Sequence, residues 1–214
     1  MSDNRTEKRP LGYYNYTVVL TYIGMLAGFM GISCVMGGQV FMALICLMVA
    51  GVCDMFDGAV ASTRERTADE KCFGIQIDSL SDLICFGVLP AVIVLKVGNN
   101  HHIAYAISSL YLLCALIRLA YFNVDEQNRQ SETSESRELY LGLPVTTIAL
   151  ILPFFWMLAD LVPDRKPLIV SLVLFFVAIL FIVPFQLKKP KKTGKIIMGV
   201  AGIVELIFLI LFVR

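Results

Sequence analysis

Charge is the scarcest property of this 214-residue chain: Asp, Glu, Lys and Arg make up 16%, against 57% hydrophobic residues and a mean hydropathy of +0.75. That shortage excludes an ordinary soluble domain, in which about a quarter of the residues are charged. Histidine is nearly missing, with only His101 and His102 side by side in an NNHH turn. No CxxC pair and no Cys/His cluster occurs, so a zinc site is not expected. The cysteines do not suggest a disulfide framework either. Cys34, Cys46, Cys53, Cys85 and Cys114 fall inside apolar runs and Cys72 in a polar link, a placement that suits thiols used as small packing residues. There is no internal repeat and no low-complexity tract. Nucleic acid is not among the expected partners.

What the chain does have is long apolar runs. A helix crossing a ~30 Å hydrocarbon core needs roughly 20 apolar residues. About seven segments meet that need: Thr17–Gly37, Gln39–Ala61, Ile75–Val97, Ile103–Phe122, Leu143–Leu161, Leu168–Leu187 and Ile196–Val213. The expected fold is an all-α, polytopic transmembrane bundle of about six to eight helices, in contact with membrane lipids. Arg5, Lys8 and Arg9 precede the first run and no small-residue cleavage site follows it, so a removed signal peptide is not expected. Residues 1–16 form an N-terminal cytoplasmic segment in this reading, 17–187 the core, and 188–214 a basic loop with a last helix.

Orientation comes from where the positive charges fall. A cytoplasmic N-terminus puts Arg5, Lys8, Arg9, Arg64, Arg66, Lys71, Arg118, Arg129, Arg137 and the lysines of KKPKKTGK inside. Only Lys96, Arg165, Lys166 and Arg214 are then outside, as the positive-inside rule favours. A bacterial plasma membrane is the expected location. The sixth and seventh segments are the least regular, because Pro184 and the KKPKKTGK link also suit a re-entrant piece. Two cytoplasmic loops are long: STRERTADEKCFG, and NVDEQNRQSETSESREL, which reads as mobile with a helix from Ser131 to Leu139 as an option. Gly24, Gly28 and Gly31 line one side of the first span and permit close packing, inside the chain or, alternatively, along a homodimer seam.

Against this apolar background stands CDMFDGAVA, residues 53–61, followed by GIQIDSLSD. Asp54 and Asp57 are spaced i,i+3 and Asp78 and Asp82 i,i+4, so on helices each pair lies on one face, about 4.5 to 6 Å apart along the axis. Two antiparallel neighbours would bring all four to a similar depth. An ionised Asp against lipid costs on the order of 2.5–3.5 kcal/mol, so a cation must sit among them. Two divalent ions balance four carboxylates, and an oxygen-only donor set suits Mg2+ or Mn2+. A pair of such ions points to phosphoryl or phosphodiester transfer. Pairing with Arg64, Arg66 or Lys71 as an interfacial anchor is the structural alternative, and a cation transporter the functional one. Gly58, Ala61 and Gly74, on the same faces, leave room for a polar ligand to approach the backbone.

Together DMFDGAVAS and GIQIDSLSD resemble the D-x-x-D-G-x-x-A-R … G-x-x-x-D-x-x-x-D motif of the CDP-alcohol phosphotransferases. DSLSDLICFGVLPA, ALIRLAYFNV and YLGLPVTTIAL further resemble the branch of that family that makes phosphatidylserine. The likeness runs from about Thr17 to Pro153. It implies that Asp54, Asp57 and Asp78 hold metal, and that Asp82 contributes to a second ion and acts as general base. Asp57, Gly58, Ala61 and Gly74 would bind the nucleotide of CDP-diacylglycerol. The implied reaction is attack by the L-serine hydroxyl on the phosphatidyl phosphorus, giving phosphatidylserine and CMP. Arg118 is the first candidate for the serine carboxylate, or else for a lipid phosphate, with Asn123 adding a hydrogen bond. Glycerol phosphate or inositol phosphate is the alternative acceptor. Two departures stand out: Ser62 occupies the usual Arg position, and twelve residues separate Ala61 from Gly74 where the common pattern has nine. Arg64 or Arg66 is expected to supply the missing charge. Glu205, alone in the last span, reads as a protonated or snorkelling side chain, and KKPKKTGK as an orientation signal.

Overall fold

The computed structural model describes residues 12–98, 102–132, 139–188 and 192–212. A 3-10 turn, Tyr16–Val18, leads into α1 (Val19–Met36); the Asn15 side chain accepts from the Thr17 amide and caps the start. Gly38, at φ +79°, adopts a left-handed conformation that other residues resist, and the chain turns there into α2 (Val40–Ala61). The glycine stripe of α1 is used inside the chain. A Cβ on Gly24 would lie 3.2 Å from Cys53 Cβ, and one on Gly28 2.5 Å from Cys85 Sγ.

The third span is a continuous element, Ala68–Val97, made of α3 (Ala68–Asp82), a π-helical turn (Leu83–Val88) and α4 (Leu89–Val97). It starts at Ala68 rather than at the expected Ile75, because Thr67-Ala-Asp-Glu70 is a capping box. Thr67 Oγ1 accepts from the Glu70 amide at 3.2 Å and the Glu70 carboxylate accepts from the Thr67 amide at 3.0 Å.

Next comes α5 (His102–Glu132), which runs past the expected end at Phe122. No Gly or Pro between Gly98 and Gly142 stops it. The stretch from Asn123, expected to be a mobile loop, therefore extends α5. Leu139, expected at the end of a short helix, belongs instead to β1 (Leu139–Leu141), which pairs antiparallel with β2 (Gln186–Lys188). His101, Lys189, Pro190 and Lys191 of the KKPKKTGK link, and the N-terminal basic residues lie outside the described residues.

α6 (Ile148–Asp160), α7 (Lys166–Ile182) and α8 (Lys192–Phe212) complete the chain. The fifth and sixth expected segments are shortened at the ends where the two strands meet. Gly142, at φ +73°, and Pro144 keep the backbone out of helix until the 3-10 turn Val145–Thr147. At the other strand Pro184 forces Val183 to φ −69°, ψ 123°, and α7 stops. Among the described residues, five helices are long and apolar enough to cross a membrane, and Val145–Asp160 and Ile197–Leu211 are shorter apolar helices.

The chain is thus an all-α, multi-pass membrane bundle. Its core joins Leu44 and Leu47 of α2, Leu89 and Ile93 of α4, Ile148 and Leu152 of α6 and Leu174 of α7, all fully buried. Leu26, Phe29, Met30 and Phe176 face outward, as lipid contact requires. All six cysteines are free thiols, with Cys53, Cys85 and Cys114 buried. Oε1 of Glu205 is buried, with no hydrogen-bond partner among the described residues.

Candidate active site

The last turns of α2 and the lower half of α3 bring the aspartates together. Asp54, Asp78 and Asp82 each present an oxygen within 4.8 Å of the others. Asp57 borders both Asp78 and Asp82 but is outside that trio, and its carboxylate accepts from Thr21 Oγ1 of α1 at 3.4 Å. Convergence of four acids, expected from spacing alone, is therefore seen as a group of three with the fourth beside it. Asp82 is the most buried, at 9% exposure.

Like charges so placed repel strongly. At an effective dielectric constant of about 20, two unit charges 4.8 Å apart oppose each other by about 3.5 kcal/mol. Three such pairs approach the whole net stability of a typical domain, about 5–15 kcal/mol. The donor set suits a hard divalent ion such as Mg2+ or Mn2+, since it consists only of oxygens. Lying within 4.8 Å of one another, the three oxygens are also near enough to share a single ion with bonds of ~2.1 Å.

Two cavities meet at this cluster. The more polar one, of about 650 Å³, lies between α1, the end of α2 and the start of α3; Thr17, Asp57, Gly58, Ala61, Arg66, Lys71, Gly74 and Asp78 are on its wall. A Cβ on Gly58 would meet nothing within 4 Å, so this backbone is open to a ligand. At Gly74 a Cβ would lie 3.1 Å from Arg66 Nη1: the missing side chain lets the guanidinium lie across the helix. The other cavity, of about 660 Å³, is apolar over most of its wall, with Met48, Val52, Leu150, Ile203 and Leu206 from α2, α6 and α8. Asp54, Asp57, Asp78, Asp82 and Arg118 also line it, and Asp57 and Asp78 border both spaces.

The two loop arginines separate. Arg64 pairs with Glu70 at 3.6 Å, where Asn15 Nδ2 also donates to Glu70 at 3.1 Å, while Arg66 turns to the polar cavity. Arg118 of α5 is 6% exposed; its Nε donates to the Leu143 carbonyl at 3.3 Å and its guanidinium lies 5.6 Å from the Phe122 ring centre. Asn123 is not on either cavity wall, and its Oδ1 accepts from Ser79 Oγ at 2.6 Å. Gln127, one turn further along α5, does reach the polar cavity, as do Thr17 and Thr21. Gln127 was hidden by reading its segment as a loop. Its i,i+4 spacing from Asn123 was the available signal.

In a multi-pass helical bundle, carboxylates clustered beside a more polar and an apolar cavity suit a ligand with one charged and one greasy end. The model of the CDP-alcohol phosphatidyltransferase family matches residues 14–184, and the chain belongs to that family. It is 40% identical over 108 residues to a CDP-diacylglycerol–serine O-phosphatidyltransferase of Saccharomyces cerevisiae, covering 49% of this chain and 38% of the relative. A Helicobacter pylori protein of the same name is 32% identical over 140 residues, 64% of this chain and 55% of that one. An archaetidylserine synthase of Methanothermobacter thermautotrophicus is 29% identical over 140 residues, 65% and 56% of the two chains. The matched region is thus about half the length of these curated relatives or less. No solved structure matches.

Proposed function

We propose that the chain transfers the phosphatidyl group of CDP-diacylglycerol to the hydroxyl of L-serine, forming phosphatidylserine and releasing CMP. The observation that carries this reading is the trio Asp54, Asp78 and Asp82 on the wall of the apolar cavity, with Asp78 also bordering the polar one. The polar cavity suits the cytidine diphosphate, with Gly58, Ala61 and Gly74 giving backbone access and Arg66 replacing the charge that Ser62 lacks. Arg64, held by Glu70, braces the loop. The apolar cavity suits the acyl chains.

In this reading Asp54, Asp57, Asp78 and Asp82 hold one or two divalent ions. When bound, these neutralise the diphosphate and the charge developing on departing CMP. Asp82 accepts the proton of the serine hydroxyl as that oxygen bonds to phosphorus and the bond from phosphorus to CMP breaks. Arg118 orients the serine carboxylate, a task for which a planar guanidinium is suited. Asn123, held by Ser79, ties α5 to α3 near the site. The charge distribution supports a cytoplasm-facing site, since Arg64, Arg66, Lys71 and Arg118 gather at the acidic end.

Serine is favoured over glycerol phosphate or inositol phosphate because it is common to the yeast, bacterial and archaeal names, of which the archaeal one differs in the lipid. Family membership and an amphiphilic pair of cavities favour a transferase over a cation transporter. Purified protein offered CDP-diacylglycerol with each acceptor in turn tests the assignment. Serine is expected to give by far the fastest CMP release, and preference for another alcohol refutes it.

A further inference from the structure

The third span changes its winding directly after Asp82, and the sequence gives a cause. Pro90 has no N–H, so the carbonyl of Phe86, four residues earlier, has no α-helical donor, and the proline ring would press on it in a regular helix. Leu83–Val88 widen into a π-turn instead, in which the Leu89 amide donates to the Ile84 carbonyl five residues back. The Phe86 carbonyl is taken by another helix: the Tyr111 hydroxyl of α5 donates to it at 2.5 Å. Phe86 and Tyr111 are 1% and 0% exposed, so no solvent can replace this bond. One extra residue in a turn rotates all that follows by about 100°. The π-turn thus lets Asp78 and Asp82 face the acidic cluster while Leu89 and Ile93, beyond it, face the core.

We propose that Tyr111 is a positioning residue for the ion-binding carboxylates: its hydroxyl holds the π-turn that sets α3, and with it Asp78 and Asp82, toward Asp54. Tyr111 lines neither cavity and lies two turns along α5 from Arg118, so it acts through the third span and not on substrate. The inference rests on reading the acids as a divalent-ion site.

Its test is Mn2+ binding to the full chain purified in detergent, followed by electron paramagnetic resonance, together with amide hydrogen exchange across residues 83–91. Tyr111→Phe removes one oxygen; it is expected to speed exchange in that stretch and to weaken Mn2+ binding about tenfold, the scale seen for groups that orient metal ligands. Ser108→Ala, which deletes the nearby bond to the Ala91 carbonyl, is the control and is expected to leave Mn2+ affinity unchanged. Should Tyr111→Phe not fold, Pro90→Ala restores the missing donor, relaxes the turn toward α-helix and is expected to weaken Mn2+ binding with Tyr111 present. Wild-type affinity in either variant overturns the proposal while leaving the ion-site reading intact. A wild type that binds no Mn2+ overturns both.

Discussion

Neutralising Asp78 separates the cost of the acidic cluster from its use. Its carboxylate shares a 4.8 Å neighbourhood with Asp54 and Asp82, so Asp78→Asn removes two of three like-charge pairs. At about 3.5 kcal/mol for a pair at 4.8 Å, these two pairs oppose folding by about 7 kcal/mol before water in the two cavities screens them. Even 2 kcal/mol of this shifts the melting midpoint of a chain this size by about 4–8 °C. In chelator, then, the variant is expected to melt above the wild type. Mn2+ reverses the order. An ion at a hundred times its dissociation constant stabilises its host by about 2.7 kcal/mol, and only the intact cluster is expected to collect that gain. Thermal melts in detergent with EDTA and with Mn2+ check both halves. A variant that melts below the wild type in EDTA and gains as much from Mn2+ refutes the reasoning.

Asp82→Asn is expected to keep CDP-diacylglycerol binding and lose at least about 100-fold in turnover, the usual worth of a general base; unimpaired turnover removes Asp82 from that role. Arg66→Ala is expected to raise the KM for CDP-diacylglycerol severalfold, whereas Arg64→Ala, which deletes a surface pair worth about 1 kcal/mol or less, leaves the KM unchanged; equal KM values for both variants count against the placement of Arg66 in the nucleotide cavity. Gly28→Ala puts a methyl 2.5 Å from Cys85 Sγ and is expected to cost about 1–3 kcal/mol of stability, read as a lower melting midpoint, with relief from the double variant Gly28→Ala/Cys85→Ala.

Much of this architecture is legible in the residues, and the misses have definite causes. The first two spans follow from apolar runs bounded by Gly37 and Gly38, and the helices begin and end within about two residues of expectation. Polarity misled at two places. Thr67-Ala-Asp-Glu70 and Asn123–Glu132 were read as loop because they are hydrophilic, yet the first is a helix start by its capping pattern and the second contains no helix breaker. Pro184 was a visible stop for α7, whereas Pro90 acts through a π-turn, which hydrophobic periodicity cannot reveal. At the site, i,i+3 and i,i+4 spacing is enough to put two acids on each helix face. Helical spacing does not say which carboxylate a neighbouring Thr21 draws aside, nor which of Arg64 and Arg66 Glu70 captures.

Incubating the purified chain with CDP-diacylglycerol and radiolabelled serine, with Mn2+ or with excess chelator, is the most direct measurement of the whole account. It predicts labelled phosphatidylserine and CMP in equal amounts when the ion is present and neither when it is removed. Label entering lipid at the same rate under chelation, or CMP formed without labelled lipid at saturating serine, would contradict it.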